Sequence, residues 1–297
     1  MRLFFRIIFI TVLILAILAG CVTTEKIKKT DSHVLLIQGN ALFLDGQYDR
    51  AIAFFNKAIE INPRFAEAYL NRGYAYDAKK QYDKAISDYS KAIELNPRYV
   101  EAYGSRGITY EKKGQYDQAI ADNTKAIEIN PRADKAYHNR GHAYWKKDQF
   151  DKAISDYTKA IELNPRYAKA YSNRGNAYNG KKQYDKAISD FTKAIELNPR
   201  DAKAYNNRGN AYYRKKQFDK AISDFTKAIE INPRLAETYS NRGNAYNGKK
   251  QYDKAITYFT KAIELNPRDA EANNKRGTVS YKQIRAHKTK TGNTYAV

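Results

Sequence analysis

"AYLNRGYAYDAKKQYDKAISDYSKAIELNPRY" fills residues 68–99, and "AYSNRGNAYNGKKQYDKAISDFTKAIELNPRD" fills residues 170–201. The two stretches are near-copies, so self-similarity decides the reading before any local propensity does. The prolines set the ruler. The chain of 297 residues has seven of them, Pro63, Pro97, Pro131, Pro165, Pro199, Pro233 and Pro267, each 34 residues after the last. Length alone would suggest two globular domains. An unbroken period instead describes one array of small stacked units.

With Ala66 as position 1, Tyr69, Ala75, Tyr76 and Tyr82 and then Ala85, Ile86, Tyr89, Ala92, Ile93 and Leu95 recur mostly at spacings of three, four and seven. That is helical periodicity in two segments, not strand alternation. The break falls near Lys79–Gln81, and Asn96-Pro97 ends the second segment because proline pushes its predecessor out of the α region. Gly73 and Ala85 recur in every copy as small residues that let helices approach closely.

These features resemble the tetratricopeptide repeat, a 34-residue helix–turn–helix family with small residues at positions 8, 20 and 27 and proline at position 32. The matching residues are Gly73, Ala85, Ala92 and Pro97. They recur as Gly39, Ala51, Ala58 and Pro63 in the first copy and as Gly243, Ala255, Ala262 and Pro267 in the last. The resemblance implies an all-α fold, a right-handed superhelical solenoid of seven helix–turn–helix repeats plus a C-terminal capping helix. The repeats are expected over 32–65, 66–99, 100–133, 134–167, 168–201, 202–235 and 236–269. The capping helix is expected over 270–282, where Asn273 replaces the usual tyrosine, and a basic disordered tail over 283–297.

Position 7, usually leucine in this family, is arginine here: Arg72, Arg106, Arg140, Arg174, Arg208, Arg242 and Arg276. A half-buried guanidinium needs a partner. Position 23 offers Asp88, Asp122, Asp156, Asp190 and Asp224, and the first copy lacks both members, with Gln38 and Phe54. The joint absence predicts a structural ion pair within each repeat. Arg242, opposite Tyr258, breaks the pattern.

The N-terminus reads "MRLFFRIIFITVLILAILAGC". Arg2 and Arg6 precede an apolar run at Ile7–Ala19, which is short for a bilayer span and suits a signal-peptide core. Leu18-Ala19-Gly20-Cys21 resembles a bacterial lipobox, which implies a signal peptide over 1–20 and acylation of Cys21. Two or more acyl chains hold a protein durably on a membrane. Val22 in place of aspartate implies export to the outer membrane in Gram-negative lipoproteins, and residues 21–31 read as a polar tether. Cys21 is the sole cysteine, so the chain can form no internal disulfide.

The chain carries 53 Lys+Arg against 32 Asp+Glu, a formal charge of +21. Lysine pairs mark the turn inside the repeats (Lys79-Lys80, Lys112-Lys113, Lys146-Lys147, Lys181-Lys182, Lys215-Lys216, Lys249-Lys250), and an arginine follows every proline. Stacking makes these two basic edges, suited to anionic lipid or acidic glycan. An exported address and the lack of a base-stacking motif argue against nucleic acid.

The resemblance also implies a concave groove lined by positions 2, 5, 6, 9, 12 and 13 of the first helices. There the copies stop agreeing. The candidate groove residues are Lys135, His138, Asn139, His142 and Trp145, then Lys169, Asn173 and Asn176, then Lys203, Asn207, Asn210 and Tyr213, and finally Asn241 and Asn244. Asparagine both donates and accepts, so a ladder of it can pair with an extended peptide backbone, while the lysines favour acidic segments. Asn173 and Lys203 sit at the carboxylate-clamp positions of chaperone-binding relatives, but His138 and His142 replace the clamp's other residues. His138 and His142 stand four apart, a metal-compatible spacing. No third ligand is evident and "HNRGH" lacks a metalloprotease glutamate, so no metal site is assigned.

No nucleophile–base set, phosphate loop or carboxylate pair stands out, so neither an enzyme nor a cofactor is expected. The expected function is an interaction scaffold, lipid-anchored in the envelope, that binds an extended segment of an envelope protein. The alternative is surface or cell-wall adhesion through the basic edges. If Cys21 carries the anchor, Cys21→Ser abolishes fatty-acid labelling and leaves an unprocessed precursor; labelling that persists in the variant contradicts the assignment.

Overall fold

The computed structural model describes residues 31–292, and among them every regular element is a helix. The first helices of the seven repeats are α1 (31–44), α3 (Ala66–Ala78), α5 (Val100–Lys112), α7 (Asp134–Lys146), α9 (Ala168–Gly180), α11 (Ala202–Arg214) and α13 (Ala236–Gly248). The second helices are α2 (Tyr48–Ile61), α4 (Tyr82–Leu95), α6 (Tyr116–Ile129), α8 (Phe150–Leu163), α10 (Tyr184–Leu197), α12 (Phe218–Ile231) and α14 (Tyr252–Leu265), with α15 (Ala270–Gly292) closing the chain. The helices cluster into two compact units, divided between Ala143 and Tyr144. Residues 1–30, including Cys21 and the expected signal peptide, lie outside the described residues.

The turn inside each repeat is set by one residue in the left-handed region at position 15: Gly46, Lys80, Gly114, Asp148, Lys182, Lys216 or Lys250. The turn between repeats uses an Asx contact, in which the position-31 asparagine accepts from the backbone N–H of the arginine after proline, as Asn96 does from Arg98 at 3.2 Å and Asn198 from Arg200 at 3.3 Å.

The expected end of the capping helix at residue 282, and with it the expected disordered tail from 283, is corrected by α15, which runs on to Gly292. Position 15 explains this. In α15 it is Ile284, and a β-branched residue resists positive φ, so the chain never makes the turn. No proline follows to break the helix either. Residues 293–297 of the expected tail lie outside the described residues.

Every repeat but the third carries a ring at position 24, and the ring sits over the position-8 glycine at Gly39, Gly73, Gly175, Gly209 and Gly243. Tyr89, Phe191, Phe225 and Phe259 are fully buried, and a Cβ added to Gly73 would lie 2.5 Å from the Tyr89 ring. The same ring meets the next repeat at position 10: Phe55 packs with Ala75, Phe191 with Ala211 and Phe225 with Ala245. At the chain's end Val279 of α15, 1% exposed, takes that place over Phe259, so α15 does cover α14.

The predicted ion pairs form within repeats. Arg72 donates from Nε and Nη2 to Asp88 at 2.8 and 2.7 Å, and Arg106, Arg174 and Arg208 repeat the geometry with Asp122, Asp190 and Asp224. Each guanidinium also reaches the preceding repeat at position 25: Asn56 from Arg72 at 2.6 Å, Ser90 from Arg106 at 2.8 Å, Thr158 from Arg174 and Thr192 from Arg208 at 3.0 Å. One arginine therefore ties three helices. The hydrogen bond to Asp88 outweighs desolvation and holds the Arg72 guanidinium above its ordinary pKa. Arg242 instead bonds the Tyr258 hydroxyl, and its buried Nε lacks a hydrogen-bond partner.

The third repeat departs from the ring rule. Asn123 fills position 24, buried at 1%, with Nδ2 on the Ala119 carbonyl at 2.8 Å and Oδ1 left without a partner. The slot over Gly107 is the one that holds a ring elsewhere. Asn123→Phe removes an unsatisfied acceptor and adds apolar burial, so it raises stability by about 2 kcal/mol. The check is hydrogen-exchange protection of α5 and α6 with the urea midpoint; no gain, or a loss, contradicts the slot's equivalence.

Candidate functional site

The exposed faces of the first helices carry the predicted groove residues. Position 2 points outward in the central repeats, where Lys135, Lys169 and Lys203 are exposed. Asn139, His142, Trp145, Asn173, Asn176, Asn207, Asn210, Tyr213, Asn241 and Asn244 are partly buried. His138 is the exception. It is 4% exposed, with Nδ1 3.3 Å from Asn139 Oδ1, so it is removed from the groove surface. Position 5 as a class faces inward, as Leu70, Ser172, Asn206 and Ser240 show. By spacing position 5 shares the face of positions 2 and 9, yet in these repeats its side chain is buried.

The asparagine ladder is partly spent on the scaffold. Asn207 Nδ2 donates to Asn176 Oδ1 at 3.0 Å, Asn241 to Asn206 at 3.1 Å and Asn71 to Asn40 at 2.8 Å. Each amide retains further donor and acceptor capacity. His142 Nδ1 lies 2.8 Å from Glu111 Oε1, and among the described residues no cluster of three or more His, Cys, Asp or Glu side chains could hold a metal ion.

In the second unit, Trp145, Lys146, Asp148, Phe150, Asn176, Gly180 and Asn207 enclose a pocket of about 560 Å³. Lys146 Nζ sits 5.2 Å from the Trp145 ring centroid. Gly180 makes room, since a Cβ there would meet the Phe150 ring at 2.8 Å. A pocket of about 440 Å³ lies between Asn210, Tyr213, Arg214, Glu237, Asn241, Asn244, Glu271 and Lys275. An aromatic–cation pair thus recurs 68 residues apart, Trp145-Lys146 and Tyr213-Arg214. Phe150 and Gly180 escaped the sequence reading, yet the signal was present: position 17 is phenylalanine at Phe150 and Phe218, and the next repeats carry Gly180 and Gly248 at position 13.

The first unit has its own pocket, about 620 Å³, lined by Tyr74, Val100, Glu101, Gly104, Ser105, Ile108, Ala133, Asp134, Lys135, Ala136 and Asn139. Here Lys135 and Asn139 border an apolar floor. Ile108 is 41% exposed and a Cβ on Gly104 would meet nothing within 4 Å. Tyr74 donates to Glu101 at 2.8 Å, and burial pushes its phenol above the ordinary pKa. Only the third copy has glycine at position 5 and isoleucine at position 9, a difference legible in the sequence. Lys169, Asn173 and Lys203 line none of these three pockets.

The basic edges are less free than charge counting implies. The position-14 lysines pair with the aspartate at position 18 of the preceding repeat: Lys79 with Asp49, Lys113 with Asp83, Lys181 with Asp151, Lys215 with Asp185 and Lys249 with Asp219. In four of the pairs the second lysine, Lys80, Lys182, Lys216 or Lys250, serves the left-handed turn at position 15.

A sequence profile described as the tetratricopeptide repeat matches residues 66–99, 100–132, 134–167, 168–201, 202–235 and 236–269, and a TPR repeat profile matches 39–79. Among solved structures, MamA is 33% identical, with a TM-score of 0.51 over 56% of this chain and 96% of that one. YrrB, described as a TPR protein with an unusual peptide-binding site, is 25% identical, with a TM-score of 0.54 over 64% and 97%. The Cut9-Hcn1 assembly of the APC/C gives a TM-score of 0.64 at 19% identity, covering 82% of this chain, which spans 55% of that partner's length. No curated protein matches.

Proposed function

Because the chain belongs to the tetratricopeptide repeat family, we propose that it is a non-catalytic scaffold, lipid-anchored through Cys21 in the bacterial envelope, whose first-helix face binds an extended segment of another envelope protein. Interaction scaffolding is what this fold supports. The observation that carries the finer reading is the pocket around Trp145, where an indole, a lysine and two amides line the same space beside the Phe150 ring packed on Gly180. An aromatic side chain gives a binding partner large contact area at small rotamer cost, and amides give a peptide backbone both donors and acceptors. YrrB, over much of whose length the two chains align, is a peptide binder by its description. Outer-membrane sorting by Val22 belongs to the same proposal.

Adhesion through basic edges is the weaker reading, since the position-14 lysines already have carboxylate partners on the neighbouring repeat. The two readings also separate by salt, because exposed charge is screened at high ionic strength while groove contacts persist.

Trp145→Ala keeps the helix, alanine being the better helix former. It weakens capture of the partner from solubilised envelope by about 2 kcal/mol, roughly thirtyfold, as expected of a hot spot. Unchanged affinity moves recognition away from this pocket.

A further inference from the structure

The first helix of every internal repeat turns one face to the repeat before it. Position 3 packs on the preceding second helix, as Ala102 does with Ala92 and Ala204 with Ala194. Position 10 does the same, as Ala75 and Ala211 show. Position 6 reaches the preceding first helix through Asn207 and Asn176, and position 13 meets the preceding position-17 ring through Gly180 and Phe150. In α1 these four positions are Val34, Ile37, Ala41 and Leu44.

They form a straight apolar stripe at spacings of three, four and three. Val34 is 48%, Ile37 67% and Leu44 83% exposed, and Ala41 is exposed as well. Terminal repeats of stacked arrays usually present a polar outer face. Here the reverse holds: isoleucine and leucine stand where the fourth repeat has Asn139 and Lys146. The end face is more apolar than the interior faces it resembles, so it is made to be covered.

We propose that this α1 stripe seats on the surface of a lipid bilayer, an inference that rests on the acyl-anchor reading of Cys21. Cys21 stands ten residues before residue 31, and ten residues reach at most about 35 Å. The stripe therefore stays within reach of the surface in which the acyl chains would be buried. The intervening stretch, "VTTEKIKKT", is too polar to cover the stripe itself, with only Val22 and Ile27 apolar. Its Lys26, Lys28 and Lys29 suit anionic headgroups. A helix with one apolar face beside a cationic flank is the form that lies in a membrane interface. A second copy fits less well: one 14-residue helix, about 21 Å long, offers far less than the roughly 800 Å² per partner of a stable interface. Seating holds the array at its first repeat and leaves the pockets of later repeats to the partner.

The test uses the full chain isolated from bacterial envelope and reconstituted in phosphatidylethanolamine–phosphatidylglycerol vesicles at high salt. Leu44→Cys and, as a control one repeat on, Ala78→Cys are labelled with a polarity-sensitive thiol fluorophore. The expected result is a shift to shorter wavelength and quenching by nitroxide lipids at position 44 and neither at position 78. Equal, water-like emission at both positions overturns the proposal. So does a shift at position 44 that survives in detergent-free solution without vesicles in particles of dimeric mass, which would assign the stripe to a second copy. If the parent, whose only cysteine is Cys21, takes up the label, the acyl-anchor reading fails; the stripe is then read in the same assay with Cys21→Ser added.

Discussion

One contact governs the packing: an aromatic ring at position 24 pressed on a glycine at position 8. The approach leaves no room for a Cβ, 2.5 Å at Gly39 over Phe55 and 2.7 Å at Gly209 over Phe225. It fixes the separation of the two helices in a repeat, and the far side of the ring receives the alanine at position 10 of the next repeat. The ring thus performs intra-repeat and inter-repeat packing at once, which is why stability in such arrays is shared between neighbours. The arginine at position 7 adds a polar counterpart, bound to its own second helix and to the one before. Breaking such a pair leaves a half-buried charge and costs more than the pair's net worth.

With the frame secured by positions 7, 8, 10, 20, 24 and 27, the exposed positions are released from packing duty. That is where the copies differ, and it is where recognition has room to act. The second unit offers amides, cations and two aromatic side chains; the first offers an apolar floor at Gly104 and Ile108. Each set is a substitution on an unchanged backbone, so the copies differ in side chains and not in fold.

Most of the architecture was legible in the sequence because a 34-residue period with fixed proline and glycine admits few helical solutions. The arginine–aspartate pairs were legible too, since both members vanish together in the first repeat. What escaped depended on the third dimension. His138 shares a helix face with the groove by spacing, but its side chain is buried. The position-14 lysines count as positive in composition, but stacking places Asp49, Asp83, Asp151, Asp185 and Asp219 beside them. The length of α15 turned on a single residue, Ile284, whose meaning appears only once position 15 is known to need positive φ.

The proposed scaffold holds its partners on the first-helix face and not on the edges. A photo-reactive phenylalanine analogue placed at Asn207, beside the Trp145 pocket, and separately at Arg200, on the arginine edge, tests it in intact envelopes. The expected result is a discrete crosslinked protein from position 207 that disappears with Trp145→Ala, and none from position 200. Crosslinks from position 200 alone, sensitive to salt and indifferent to Trp145, would contradict it.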